Sequence, residues 1–206
     1  LAKVVTPKHK PKDREATEER ILLAAKQIFS KFGFKGATTR MIAKKADVNV
    51  SLIARYFDGK FGLLLKIIEK KSLEIYSTSL PYPPQNSVTD ECLAFAKYRI
   101  SIFSEDLPFF KIVLAQFLTD PKFLKRFQET LSFAGIYPDL DTRLQKLITD
   151  KKLATHTSTL EIHEAIDTYT FGLVVGSVLI RAESEEVINQ KVQSFIRVFC
   201  SQLELA

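Results

Sequence analysis

"TTRMIAKKADVNVSLIARYF", residues 38–57, sets two short runs of helix-forming residues around a tight break. Ile42 and Ala46, four apart, turn an apolar face inward, and the small Ala43 permits a neighbouring helix to come close. Val48 and Ile53 close the same miniature core from the other side. The positions left over are Arg40, Lys44, Lys45, Asn49, Ser51, Arg55 and Tyr56. These are donors and cations suited to phosphates and base edges. Thr38 or Thr39 can cap the first helix, and either hydroxyl could also reach a phosphate. Two helices held at a steep angle, with one face of the second left free, form the arrangement that sets a helix into the major groove of DNA.

The charge of the chain is divided in the same sense. Residues 1–60 carry fourteen Lys and Arg against six Asp and Glu, whereas residues 61–206 carry sixteen against eighteen. All the excess positive charge thus lies in the first third, as expected of a nucleic-acid-binding head on a near-neutral body. The first residues, with Lys3, Lys8, Lys10 and Lys12, read as a flexible basic arm that adds phosphate or minor-groove contacts.

Working outward, Ile21, Ala25, Ile28, Phe29 and Phe32 recur at helical spacing and predict a first helix over 17–32, with Gly33 as its stop. The central pair spans about 39–46 and 50–56, and a longer helix spans 60–78. "PYPPQNS" ends it and is the strongest boundary signal in the chain. Beyond it only helices are expected, over 88–104, 107–118, 121–133, 139–152, 159–182 and 185–204. Ser158 with Glu161 forms a capping box at the start of one of them. No stretch alternates as a strand would, so the fold class is all-α. The expected organisation is a basic arm over 1–14, a DNA-binding domain over 15–60, a connecting helix over 61–80 and a helical ligand-binding and dimerisation domain over 81–206.

"TTRMIAKKADVNVSLIARYFDGKFGLL" resembles the DNA-binding signature of TetR-family transcriptional regulators. Thr38, Thr39, Ile42, Ala43, Ala46, Val48, Tyr56, Phe57 and Lys60 fit in register, and "AAKQIFSKFGFKGATT" resembles the first helix and loop of that family. The resemblance covers about residues 17–65. It implies that Thr39, Tyr56 and Lys60, with Thr38 beside them, clamp the DNA backbone. It further implies that Arg40, Asn49, Ser51, Leu52 and Arg55 read bases. Three positions depart from the pattern. Asp47 replaces a turn glycine, Ser51 stands where a helix glycine is common, and Ala54 replaces a tyrosine that touches phosphate. The implied partners are a second copy of the chain and double-stranded DNA carrying a near-palindromic operator.

In the body, Phe171–Ile180 is apolar on every side and is expected to be buried on every side. Gly172 and Gly176 offer a small face for another helix, and Ile188, Val192, Phe195 and Phe199 step as a coiled-coil seam. Together they are the expected dimer interface, which the resemblance places in a four-helix arrangement of the last two helices of each subunit. Phenylalanine is abundant, and Phe95, Tyr98, Arg99, Phe103, Phe110, Phe117, Phe127, Thr168 and Phe171 are the candidate lining of a pocket for a small apolar or aromatic effector. His163 and Asp167 are further candidate anchors. A repressor released by such a ligand is the function expected.

An enzyme is disfavoured because the chain has no glycine-rich phosphate loop, no HExxH and no GxSxG. A helical adaptor that has lost specific DNA binding is the alternative that Ala54 and Asp47 keep open. No cofactor and no metal are expected, and Cys92 and Cys200 form no CxxC pair. The longest apolar run is too short to span a bilayer, so a soluble, cytoplasmic protein is expected.

Overall fold

The computed structural model describes residues 11–77, 79–130, 137–154 and 158–203. Among them are ten α-helices and no strand. They run α1 (Pro11–Gly36), α2 (Thr39–Ala46), α3 (Ser51–Phe57), α4 (Gly59–Ser77), α5 (Val88–Ser104), α6 (Leu107–Thr119), α7 (Pro121–Thr130), α8 (Pro138–Thr149), α9 (Thr159–Leu173) and α10 (Glu185–Cys200). A π-helical stretch, Val174–Ile180, continues α9. No described helix is long and apolar enough to cross a membrane.

Helices divide into two compact units. One takes in the described residues among Leu1–Ser72 and Pro108–Ser132, the other those among Leu73–Leu107 and Phe133–Ala206. The first unit therefore gains a second, later segment of chain, which carries α7 and most of α6.

In the first unit α1 begins at Pro11, six residues before the start expected at 17, and a proline at the first helical position sacrifices no hydrogen bond. Gly33, at φ 68°, breaks the helix, and one further turn runs to Gly36. Ile21, Ala25 and Phe29 of α1 meet Ile42, Ala43 and Ala46 of α2 and Ile53 and Phe57 of α3, all buried. Fully burying Ile42 or Ile53 stabilises the unit by about 1.5–3 kcal/mol each. The later segment adds Val113 and Phe123, with the Phe123 ring edge-on to Phe61 at 5.2 Å. Phe117 and Phe127, 4.5 Å apart, flank it. Gly62, in the first turn of α4, lies directly against the Phe57 carbonyl, where a Cβ would come within 1.6 Å of the oxygen.

The second unit packs α5, α8, α9 and α10 around Phe95, Leu140, Leu144, Ile162, Ile166, Val192 and Ile196, with Cys92 and Cys200 fully buried among them. Its proline-rich stretch is tied down by charge. Buried Glu91 accepts from the Gln85 backbone N–H at 2.7 Å and pairs with Arg143 at 3.3 Å. Arg143 also donates to the Tyr82 carbonyl, and Asp139 accepts from the Leu80 N–H at 2.8 Å.

The helix expected over 159–182 changes character at Val174. Arg181 folds back to donate to buried Ser177 Oγ at 2.8 Å, and its backbone N–H reaches the Gly176 carbonyl at 3.2 Å, five residues back. That wider turn is what a π-helix is. The expectation of all-round burial here is corrected within the protomer. Leu173, Val174 and Ser177 are buried, but Phe171 is 42% and Ile180 75% exposed.

Candidate nucleic-acid interface and small-molecule site

Thr38 caps α2, its Oγ1 accepting the Met41 N–H at 3.2 Å. The hydroxyl proton stays available to a phosphate. Thr39 is then the first residue of α2. Asp47 closes α2 in the left-handed region, φ 52° and ψ 56°, and Asp58 does the same after α3 at φ 57°. Asp47 thus adopts the conformation for which glycine is the usual choice, which short polar side chains tolerate.

With Ile42, Ala43, Ala46, Ile53 and Phe57 turned inward, the outer face carries Thr38, Arg40, Lys44, Lys45, Asn49, Ser51, Ala54 and Arg55, all exposed. Leu52, Tyr56, Thr39 and Lys60 are half-buried at its edges. Eight of the nine expected contact residues, Thr38 through Tyr56 in the chain, thereby come onto α2, α3 and the residues that flank them. Tyr56 is flanked by two guanidinium groups, with Arg14 5.0 Å and Arg55 5.8 Å from the ring centroid. The Arg14 contact had no sequence signal, because it joins residues forty-two positions apart.

Two residues are engaged in ways that spacing could not disclose. Asn49 Oδ1 accepts from the Ser51 N–H at 2.9 Å and from Ser51 Oγ at 2.8 Å, holding the start of α3. A bidentate grip on adenine needs both ends of the amide, and here the oxygen is already occupied, which leaves Asn49 a donor. Lys60 Nζ donates to the Phe34 carbonyl at 2.8 Å and the Ala37 carbonyl at 3.1 Å, and it approaches that of Lys35 at 3.4 Å.

In the second unit a polar cluster surrounds Arg99. Its Nε lies 2.5 Å from Asp167 Oδ1, while its Nη1 donates to the Tyr137 hydroxyl. Asp167 Oδ2 in turn lies 3.2 Å from His163 Nε2. The Arg99 and His163 approaches to Asp167 are close but off the donor axes, so neither is a directed hydrogen bond. His163 is 95% buried, and its Nδ1 meets no hydrogen-bond partner among the described residues. Burial pushes the Tyr137 hydroxyl far above its ordinary pKa, so it stays a neutral phenol. Beside this cluster opens a cavity of about 150 Å³ lined by Tyr137, Leu140, Asp141, Thr159, Leu160 and His163.

None of the nine expected effector contacts lines that cavity. Phe95 backs it, 4.9 Å from the Tyr137 ring and 5.6 Å from the His163 ring. Arg99 touches it through Tyr137. Phe103 and Phe171 pair edge-on at 5.9 Å, Tyr98 stands near Tyr82, and Thr168 is exposed. Phe110, Phe117 and Phe127 belong to the other unit, where Phe117 and Phe127 flank its core. Tyr137 escaped the sequence reading because it sits between apolar stretches with no periodicity of its own. Among the described residues, no three His, Cys, Asp or Glu gather as a metal site.

The expected dimer residues also separate. Ile188 and Val192 pack into the protomer's own core. Phe195 and Phe199 are half-buried, with Phe195 stacked on Tyr169 at 3.7 Å. Gly172 is open, whereas the space over Gly176 is taken by Arg181 of the same chain.

Residues 21–67 match the family described as "Bacterial regulatory proteins, tetR family". The "Probable HTH-type transcriptional regulator YttP" of Bacillus subtilis is 39% identical over 74 residues, which are 36% of this chain and 35% of that protein. The "HTH-type transcriptional repressor SCO4008" of Streptomyces coelicolor is 37% identical over 75 residues, 36% of this chain and 38% of that one. The matched segment thus spans little more than a third of either relative. Across nearly the full length, the fatty acid degradation regulator FadR of Bacillus halodurans superposes with a TM-score of 0.61 at 19% identity. That match covers 92% of this chain and 96% of FadR, a likeness of fold.

Proposed function

We propose that this chain, which belongs to the TetR family of bacterial regulatory proteins through residues 21–67, is a dimeric, sequence-specific DNA-binding transcriptional regulator, acting as a repressor released by a small ligand. One observation carries the reading. The apolar side of α2 and α3 is consumed by the first unit's core, which leaves Thr38, Arg40, Lys44, Lys45, Ser51 and Arg55 exposed. Arg55 and Arg40 reach base edges, Ser51 and the Asn49 amide add hydrogen bonds, and Thr38, Thr39 and Tyr56 hold the backbone. Of the basic arm expected over 1–14, residues 1–10 lie outside the described residues and residues 11–14 are instead the start of α1.

Two copies are needed to read a palindrome. Phe171, Ile180, Val187 and Val198 are exposed apolar residues of α9, the π-helical stretch and α10, and they supply the surface for a second copy. For the ligand, a cavity of about 150 Å³ admits a molecule of single-ring size. Tyr137, Leu140 and Leu160 suit an apolar or aromatic body, and His163 Nδ1 and Asp141 suit polar groups on it. Such a ligand releases DNA only if it binds the DNA-incompetent state better, and the coupling is reciprocal.

The test is to incubate the chain with fragmented genomic DNA at near-physiological salt and sequence what is retained. A recurring inverted repeat supports a dimeric reader. Salt-sensitive retention without a shared motif favours the adaptor, a reading to which the exposed Ala54, standing where a phosphate-touching tyrosine is usual, gives some support.

A further inference from the structure

The family resemblance gives Lys60 a phosphate contact, yet its ammonium is engaged elsewhere. An ammonium has three donors, and carbonyl oxygens of Phe34, Ala37 and Lys35 stand 2.8, 3.1 and 3.4 Å from it. The group also sits over the Phe34 ring, 4.7 Å from its centroid. These carbonyls follow the break at Gly33, at the end of α1, where helix carbonyls lose their intrahelical partners and the dipole favours a cation. The same segment runs directly into Thr38, the cap of α2. The contacts bridge more than twenty residues of chain, from the first turn of α4 to the connection between α1 and α2.

We propose that Lys60 is a positioning residue that staples the α1–α2 connection and so sets the pose of the first turn of α2, and that it is not a phosphate clamp. Reaching for a phosphate would strip these carbonyls of a charged donor, two of them in part-buried bonds. This rests on the DNA-binding function proposed above.

The experiment compares the full chain with Lys60→Met, Lys60→Arg and Lys45→Met in DNA binding across a salt series, at a temperature where all are folded. A staple predicts that Lys60→Met and Lys60→Arg both weaken binding, Lys60→Met by about tenfold, with the slope of log K against log salt unchanged. The planar guanidinium cannot converge on three carbonyls as an ammonium does. Lys45→Met, at an exposed cation of the same face, should instead flatten the slope by about 0.9. A clamp gives the opposite pattern, in which Lys60→Arg retains affinity and Lys60→Met flattens the slope, and that result overturns the proposal. A lower melting temperature with unaltered affinity overturns it as well, since the role would then be structural alone. Should Lys60→Met not fold, Lys60→Arg keeps the charge and carries the comparison. Amide exchange of residues 34–38 in the free variants needs no DNA. Faster exchange supports the staple even if the wild-type chain shows no preferred site, and unchanged exchange refutes it.

Discussion

Gly62 allows a substitution to be predicted in sign as well as size. Alanine at an interior helix position ordinarily gains about 0.5–1 kcal/mol over glycine, because it restricts the unfolded chain. At Gly62 the added Cβ would stand 1.6 Å from the Phe57 carbonyl oxygen and 2.8 Å from the carbonyl carbon. An ordinary contact needs roughly twice the first distance, so α4 must slide by about one helical residue, a 1.5 Å rise, dragging its own buried Leu63, Leu64 and Leu65 out of register with the core. Overpacking of this kind costs about 1–3 kcal/mol, more where backbone must move. The clash wins, and Gly62→Ala should destabilise the first unit by about 2 kcal/mol net. Gly172 provides the control, since nothing lies within 4 Å of its Cβ position, and Gly172→Ala should be neutral or stabilising by up to about 1 kcal/mol. Urea unfolding of both variants at one protein concentration, followed by circular dichroism and DNA binding, separates them. If Gly62→Ala matched or exceeded the wild-type midpoint, the close seating of α4 on the end of α3 would be refuted.

Three further perturbations test other parts of the molecule. Arg143→Met strands Glu91, which is fully buried, and should destabilise the second unit by about 3–5 kcal/mol, read by thermal unfolding; pairing it with Glu91→Leu should recover much of that loss. Asn49→Ala removes the acceptor for two Ser51 donors and should cost about 1 kcal/mol and weaken DNA binding, whereas Asn49→Asp keeps the acceptor and should retain stability; equilibrium unfolding decides. Lys191, Ser177 and Arg181 together hold the Glu183 carboxyl down at about 2. A carboxyl with a lowered folded pKa stabilises above its unfolded value and loses that contribution as the pH falls from about 4.5 towards 2. Glu183→Gln should therefore flatten the acid limb of a melting-temperature profile in that window.

The first unit was legible because its chemistry is local. Ile42, Ala46 and Ile53 carry the helical period, Thr38 and Asp47 mark the ends of α2, and Lys44, Lys45 and Arg55 are what the core does not need. What escaped depends on contacts that sequence distance hides. Phe123 and Phe127 read as body residues until the chain returns them to Phe61. Ile188 and Val192 have the seam spacing that either a core or an interface requires, and only packing tells the two apart. Lys60 matches a pattern of residue types, but the pattern carries no information on where the ammonium points. Periodicity likewise sees a helix through 174–180 without registering that Arg181 has widened its turns.

The two thiols of the chain, Cys92 and Cys200, are both fully buried in the second unit, and the first unit has no cysteine. A thiol reagent in native buffer can modify neither until the second unit opens, while opening of the DNA-binding unit alone leaves both unreacted. The unmodified protein thus carries its own spectroscopic clock for one half of the molecule. Slower labelling in the presence of a candidate effector would locate the stabilised half without any engineered probe.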